Sequence, residues 1–276
     1  MTSTHTSEPS SEEQTWLDGI QAQLLASQRP VNRISWHKIK QPEPTQSRLG
    51  GIAYLPSDAT HPTSPTGQKL SLLAQINFAE MPALDGFPDS GLLQIFIDST
   101  HSTYGLEFDA ESFKLPQSPF HQVMFWPDLT HADTWKQSPV DQQDDFGMPI
   151  RTNTCFQMVF EPAVETIGSS DVGFSKAIGA AYIDEIPRPA SISEDRVYEI
   201  AEQYWSRFGN KVGGHPSFTQ SDPRSSEDGL VLLLQLDSDD EANMMWGDAG
   251  IANWFINPNK LEKADFSEVV YNWDCC

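Results

Sequence analysis

The chain has 276 residues, and its 17 basic residues are outnumbered by 39 acidic ones, which gives a formal net charge of −22. Such a charge repels polyanions at long range, which argues against nucleic acid or an anionic membrane as a partner and favours a basic protein. Hydrophobic residues at 38% are sufficient for a sizeable core, while 20 prolines and 17 glycines predict short elements and many turns.

The N-terminal part begins with a polar segment that is followed by a helix and a strand. Residues 1–13 are rich in Ser, Thr, Glu and Pro, which predicts a disordered tail without a signal peptide. With no apolar run long enough to span a bilayer, and with only three cysteines, we expect a cytoplasmic protein. Apolar residues at helical spacing predict a helix over 15–27, stopped by Pro30. Partial alternation predicts a strand over 31–39.

The next segment combines a glycine pair with two apolar strands. Gly50 and Gly51 indicate a tight turn, because glycine adopts the required backbone conformations at little cost. The mostly apolar run at 70–78 predicts a strand buried on both faces. We expect a short helical turn near 77–84 and a further strand at 92–98.

The middle of the chain, from residue 101 to 171, has weaker patterns. Strands are expected at 106–108, 123–126 and 155–160, where β-branched and aromatic residues are frequent. The polar, acidic stretch 130–149 is typical of a surface loop.

The strongest helical pattern covers 193–208. Val197, Ile200, Tyr204 and Phe208 share one face, Ser191 to Glu194 supply a capping-box pattern, and Gly209 or Asn210 is expected to end the helix in a left-handed cap. A second Gly-Gly and two apolar strands follow over 211–256. A short helix at 261–266 and a terminal strand at 269–273 complete the chain.

The chain repeats three blocks in the same order. The first set is Ser47 to Gly51, Leu72 to Ile76 and Gly91 to Ile97, and its counterparts lie 163, 160 and 159 residues later. This repetition predicts an internally duplicated, β-rich α+β fold in which two pseudo-symmetric halves share one core. We expect a single domain over 14–276, with a first repeat at about 14–100, a second at about 191–276 and an irregular middle between them.

These blocks resemble the YwqG-like family of bacterial proteins, a family of unknown function. The resemblance covers nearly all of the chain. It implies no catalytic residue, and at most a protein-binding role, since relatives are found near bacterial toxin and immunity genes. The matching motifs are Ser47-Arg48-Leu49-Gly50-Gly51, Leu72-Leu73-Ala74-Gln75-Ile76, Pro88-Asp89-Ser90-Gly91, Gly213-Gly214-His215-Pro216-Ser217-Phe218-Thr219-Gln220, Asp222-Pro223-Arg224, Leu233-Leu234-Gln235-Leu236-Asp237 and Met245-Trp246-Gly247-Asp248-Ala249-Gly250.

Six polar or aromatic residues are candidates for binding. Gln75 and Gln235 occupy the same position in the two repeats, inside apolar strands, so each either ties a neighbouring loop to the strand or offers its amide to a ligand. The other four candidates occur in the second repeat alone, so the symmetry of the fold does not account for them. Gln220, Arg224 and Asp248 are polar, Trp246 is a possible partner anchor or core residue, and Arg224 can grip an oxyanion or pin a loop to an acidic neighbour.

The sequence lacks the usual enzymatic and metal-binding motifs. The acidic run from Asp237 to Asp248 fails as an EF-hand because Ala242 stands where glycine is needed, and no cofactor or metal is expected. We therefore expect a non-catalytic cytoplasmic binding or regulatory protein, with a basic protein partner such as a toxin. The alternative is an enzyme or small-molecule-binding protein that uses a cleft between the repeats. That alternative requires Gln75, Gln235, Arg224 and Asp248 to converge in one pocket.

Overall fold

The computed structural model describes residues 8–107, 118–140, 146–151 and 154–276. Their α-helices are short, and their strands carry most of the regular structure. The helices are α1 (Ser11–Leu24), α2 (Phe174–Ile178), α3 (Glu194–Ile200) and α4 (Pro258–Leu261). The strands are β1 (Arg29–Lys38), β2 (Arg48–Gly50), β3 (Ala53–Leu55), β4 (Ser71–Asn77), β5 (Leu92–Ile97), β6 (His121–Trp126), β7 (Lys136–Ser138), β8 (Cys155–Glu165), β9 (Lys211–Gly213), β10 (Val231–Asp237), β11 (Ile251–Ile256) and β12 (Val270–Asp274).

Ten of these strands form one antiparallel sheet in the order β12-β11-β10-β9-β1-β8-β2-β4-β5-β6. The two longest strands, β1 and β8, are the central pair, and they are in register over the whole of β1, from Arg29 opposite Glu165 to Lys38 opposite Phe156. Strands β3 and β7 pair separately as a two-stranded sheet. Sequence-distant segments therefore meet at the centre of the main sheet.

The sheet curls until its two ends meet around a common core. Trp254 on β11 donates a 2.7 Å hydrogen bond from Nε1 to Nε2 of His121 on β6, and the His121 ring stacks on Tyr271 of β12 at 4.5 Å. Burial lowers the pKa of His121 to about 3, so its ring is the neutral acceptor that this bond needs. The largest apolar cluster includes both Leu93 on β5 and Trp254, so one core serves both ends of the sheet.

A second, smaller core lies under the helical layer. Leu17, Ile20 and Leu24 of α1 pack with Ile200 and Trp205. The helix begins earlier than predicted, because Ser10 and Glu13 form a capping box that satisfies the first free N–H groups. Residues 11–13 are thus the first turn of α1 and not part of a disordered tail, and residues 1–7 lie outside the described part of the chain.

The predicted helix over 193–208 is too long at its C-terminal end. After α3, the residues Ala201–Trp205 form a π-helical turn, and Ser206 is already extended. The chain leaves the helix because the Arg207 side chain turns away and donates to the Thr166 carbonyl at 2.6 Å. Phe208, placed on the apolar face by spacing alone, is 53% exposed. Gly209 has a positive φ of 93°, but it lies beyond the helix end and does not cap it.

Three expectations for the middle of the chain also differ from the structure. Strand β7 lies inside the predicted surface loop 130–149, where its exposed, polar residues hid the strand pattern. Leu106 is buried in the core without belonging to a strand, and Phe108 lies outside the described residues. The strand predicted at 155–160 continues to Glu165 as β8. Every helix among the described residues is too short or too polar to cross a bilayer.

Candidate functional site

Gln75 and Gln235 hold loops against the sheet. Both side chains have no exposed surface. The Gln75 amide donates to the carbonyl oxygens of Pro44 at 3.0 Å and Gln46 at 2.9 Å. The Gln235 amide donates in the same manner to Arg207 and Gly209, at 2.9 and 2.8 Å. Because these bonds occupy both amide donors, the two glutamines fix the chain that leads into β2 and into β9.

A buried cation stands beside each glutamine, and sequence reasoning missed both. Arg48 pairs with Gln75 across β2 and β4, and Lys211 pairs with Gln235 across β9 and β10. Arg48 is fully buried and Lys211 is 2% exposed. The sequence feature that could have identified these two cations is their shared position, two residues before each Gly-Gly pair. These side chains belong to two rows across one face of the sheet, which are Gln94-Gln75-Arg48-Gln157-His37 and Asn253-Gln235-Lys211-Arg33-Glu161.

Arg224 is pinned by acidic neighbours. Its guanidinium lies 2.6 Å from the Asp222 carboxylate and 3.1 Å from that of Asp171, and it covers the Phe255 ring at 4.6 Å. Burial opposes the charged form, but the carboxylates of Asp222 and Asp171 outweigh it and raise the pKa of Arg224. The guanidinium is therefore already engaged, and it anchors the loop after β9 to the body of the protein.

Among the remaining candidates, Gln220 and Trp246 both lie beside the C-terminal segment that contains β12. Gln220 is exposed and ties the C-terminal segment, donating to the Cys275 carbonyl at 2.7 Å. Trp246 is fully buried in the core, 5.4 Å from the Tyr104 ring, and Asp248 is exposed in a turn. None of the six candidates lines any of three clefts on the described surface. In these three clefts, the convergence that the cleft hypothesis requires of Gln75, Gln235, Arg224 and Asp248 is not found.

The acidic run after β10 also serves the fold. Asp239 accepts hydrogen bonds from Trp36 Nε1 at 2.8 Å, Asn210 Nδ2 at 2.7 Å and Glu241 N at 2.8 Å. These bonds use both carboxylate oxygens and join the turn to β1. In the described ranges, no three His, Cys, Asp or Glu side chains gather in an arrangement that could hold a metal ion.

An acidic face on the helical layer combines exposed aromatic and acidic side chains. Its helix, α3, buries Val197 and Ile200 and turns the opposite side to solvent. Tyr182 and Tyr198 are 69% and 49% exposed on this surface. We define the acidic face by these two tyrosines and the exposed carboxylates around them, which are Glu185, Glu194, Asp195, Glu199 and Glu202.

Most carboxylates of the acidic face have no cationic neighbour. Arg196 binds Glu199 at 2.8 Å, but it also binds Glu13 at 2.6 Å, and no other ion pair reaches the face within the described chain. Partial desolvation and the nearby carboxylates of Asp184 and Glu194 raise the pKa of Tyr198. Glu194 and Asp195 lie in the first turn of α3, where the helix N-terminus favours negative charge. Asp195 and Glu199, and Glu199 and Glu202, are like-charge pairs that each destabilise a helix by about 0.2–0.5 kcal/mol. The face therefore combines exposed aromatic surface with a concentration of negative charge.

Comparison with protein families assigns most of the chain to one family. The profile described as Domain of unknown function (DUF1963) matches residues 47–275. The chain belongs to the DUF1963 family. The DUF1963 region contains β2 to β12 and the acidic face, whereas α1 and β1 precede it, although β1 is a central strand of the sheet. A comparison with curated proteins gave no match.

Proposed function

We propose that this DUF1963 protein is a non-catalytic binding or regulatory protein of the cytoplasm, and that its acidic face binds a basic protein partner such as a toxin. The observation that carries the proposal is the position of Tyr198, which is 49% exposed on α3 with Glu194, Asp195, Glu199 and Glu202 within one helical turn of it. Tyrosine is enriched among the residues that contribute most to protein binding, and the rims of interfaces are polar.

The chemistry of the acidic face suits lysine and arginine side chains. A cation above an exposed tyrosine ring gains about 0.5–1 kcal/mol, and the unpaired carboxylates attract it from a distance. Binding would also relieve the repulsion along α3, because the partner's cations would separate its like charges. The net charge of −22 supports fast, salt-sensitive association with a basic protein.

The proposal includes the origin of the fold. We infer that the two halves on either side of the β1–β8 pair are related by duplication, and that the chain is a bacterial YwqG-like protein. Equivalent positions support this inference. Gly50 and Gly213 have φ values of 71° and 74°, and β4 and β10 each have a bulge, between Leu72 and Ala74 and between Leu232 and Leu234.

The direct test is affinity capture from lysate at low and moderate salt with two matched triple variants. The first, Glu194→Gln/Asp195→Asn/Glu202→Gln, neutralises the acidic face. The control, Asp58→Asn/Asp89→Asn/Asp133→Asn, removes the same charge from exposed loops beside the other half of the sheet. At about 0.5 kcal/mol for each carboxylate, the first variant should bind a basic partner about tenfold more weakly.

Captured proteins are identified by mass spectrometry, and their affinities are then measured with purified protein. A basic protein held by the wild type and the control, lost with the neutralised face and weakened by salt, supports the proposal. Recovery of no protein at any salt concentration counts against it. Equal binding by both triple variants refutes the acidic face as the interface.

A further inference from the structure

A polar cleft opens on the outer face of the sheet, where strands from both halves meet. The central cleft, as we name it, has a volume of about 440 Å³. Its floor is formed by Arg33 on β1, Glu165 at the end of β8 and Lys211 on β9, and its walls by the end of α1 and residues 206–210. A volume of this size is within the range of small-molecule sites, which is about 300–1,000 Å³.

The cleft is basic although the protein is strongly acidic. Three cationic side chains, Arg33, Arg207 and Lys211, line it, against the single carboxylate of Glu165. The chain as a whole has 17 basic and 39 acidic residues, so this concentration of positive charge runs against its composition. Glu161, the cross-strand neighbour of Arg33, is the nearest competing carboxylate in the register, and it makes no ion pair with Arg33 among the described residues.

Two of the three cations are fixed by the protein. Arg207 donates to the Thr166 carbonyl at 2.6 Å and to the Thr166 hydroxyl at 2.7 Å. Lys211 Nζ lies 2.8 Å from Glu165 Oε1 and 2.8 Å from the Arg207 carbonyl. These side chains shape the cleft and contribute positive potential, but protein acceptors occupy most of their donors. They are therefore not the groups that would contact a ligand first.

The third cation and three neutral side chains remain available. Arg33 is exposed, and within the described ranges its guanidinium makes no hydrogen bond or ion pair. The side chains of Gln21, Gln28 and Ser206 line the same cleft and also lack a hydrogen-bond partner in the part of the chain that the structure describes. Guanidinium, amide and hydroxyl groups all donate to oxyanions, and the planar guanidinium matches phosphate or carboxylate in a bidentate manner.

Apolar surface borders these donors. Phe208 and Val164, which are 53% and 60% exposed, line the cleft together with buried Ile34. A bare inorganic ion would leave this surface in water, whereas an organic molecule would cover it and gain affinity from the apolar area that it buries. The cleft thus offers one region for an oxyanion and another for an apolar body.

We propose that the central cleft binds a small organic anion, whose phosphate or carboxylate group contacts Arg33 and whose apolar body contacts Phe208. The site is distinct from the acidic face, and its ligand is independent of the partner proposed above. Attraction of an anion by a protein of net negative charge requires such a local reversal of potential, which the cleft supplies.

The test is isothermal titration calorimetry of the full chain in a low-chloride buffer, with phenyl phosphate, benzoate and inorganic phosphate as probes. Arg33→Gln should weaken phenyl phosphate binding at least tenfold. The matched control is Arg151→Gln, which removes the same charge from an exposed position outside the cleft, and it should change binding less than twofold. Phe208→Ala should weaken phenyl phosphate several-fold and leave inorganic phosphate unchanged. Circular dichroism establishes that each variant is folded.

The outcomes separate the parts of the proposal. Binding of phenyl phosphate or benzoate that Arg33→Gln weakens and Arg151→Gln preserves supports the site. Failure of all three probes to bind at 10 mM, or equal binding by wild type and Arg33→Gln, overturns it. Equal affinity for phenyl phosphate and inorganic phosphate, with no effect of Phe208→Ala, overturns the assignment to an organic ligand. Stronger binding of benzoate than of phenyl phosphate identifies carboxylate as the preferred group.

Discussion

The buried ion pair between Lys211 and Glu165 allows a quantitative prediction. Lys211→Met removes the charge but keeps much of the side-chain volume, and it leaves the Glu165 carboxylate 8% exposed without its cation. Breaking a buried pair by removing one partner costs about 3–5 kcal/mol. Burial, as the main cause, lowers the pKa of Lys211 to about 8 from 10.5, so at pH 7 the charged lysine is itself disfavoured by about 3 kcal/mol.

These two effects oppose each other, and the first prevails. Removal of the lysine also removes the cost of burying its charge. The measured costs of breaking buried ion pairs already include this gain, so we expect Lys211→Met to lower the free energy of unfolding by about 3 kcal/mol at pH 7. Adding Glu165→Gln removes the stranded charge. Its amide oxygen can still accept the His215 N–H, which lies 2.7 Å from Glu165 Oε1. The double variant should therefore recover at least half of the loss.

Urea unfolding at pH 7 measures the wild type, both single variants and the double variant as a double-mutant cycle. If the slope of the unfolding free energy against urea concentration is the same in all variants, their unfolding free energies can be compared directly. The reasoning is refuted if Lys211→Met is as stable as the wild type, or if the double variant is less stable than Lys211→Met alone.

Three further predictions concern stability. Between pH 8 and 10.5 the unfolded state binds more protons at Lys211 than the folded state. The free energy of unfolding of the wild type, relative to that of Lys211→Met, should therefore rise with pH in that window. Urea unfolding at several pH values would show no such rise if the lysine were not buried. Gly214→Ala should cost more than 2 kcal/mol, since its φ is 74° and a Cβ would collide with the Glu165 carboxylate, while Gly179→Ala, with a similar φ of 70° and open space, should cost about 1 kcal/mol in the same assay. Trp246→Ala should lower the free energy of unfolding by about 3–5 kcal/mol because the side chain is fully buried, whereas Met245→Ala, 46% exposed, should have little effect; equal effects would refute the core role of Trp246.

The sequence was informative where residues are buried on both faces. Strands β4 and β10 were predictable because continuous apolar runs admit few alternatives, and the exposed side of α3 followed from helical spacing. Strand β7 was missed because Lys136-Gln137-Ser138 has no apolar side to mark it. The end of the helical segment was misplaced because a long-range contact of Arg207 with Thr166 decides it, and no local pattern reports such a contact.

The site residues also differ in how far the sequence could predict them. The repeat identified Gln75 and Gln235 as equivalent, and hydrogen bonds to loop carbonyls then explained both. Burial of Lys211 was missed because a lysine in a short mixed segment is normally exposed, and its position two residues before a Gly-Gly pair, which Arg48 shares, was not used. A cleft between the repeats was the alternative that the sequence left open, but none of the residues that line the central cleft was predicted, since they come from α1, β1, β8 and the segment before β9, which are distant in sequence.

The central position of β1 constrains how the chain assembles during synthesis. Strand β1 spans Arg29–Lys38, but its two neighbours in the sheet are Cys155–Glu165 and Lys211–Gly213. On the ribosome this strand therefore emerges long before either partner exists, and its backbone groups must remain unpaired or be shielded until the middle of the chain has been made. A break in the polypeptide between the halves would separate β1 from β9. The first third of the chain thus cannot complete its fold until the last third arrives.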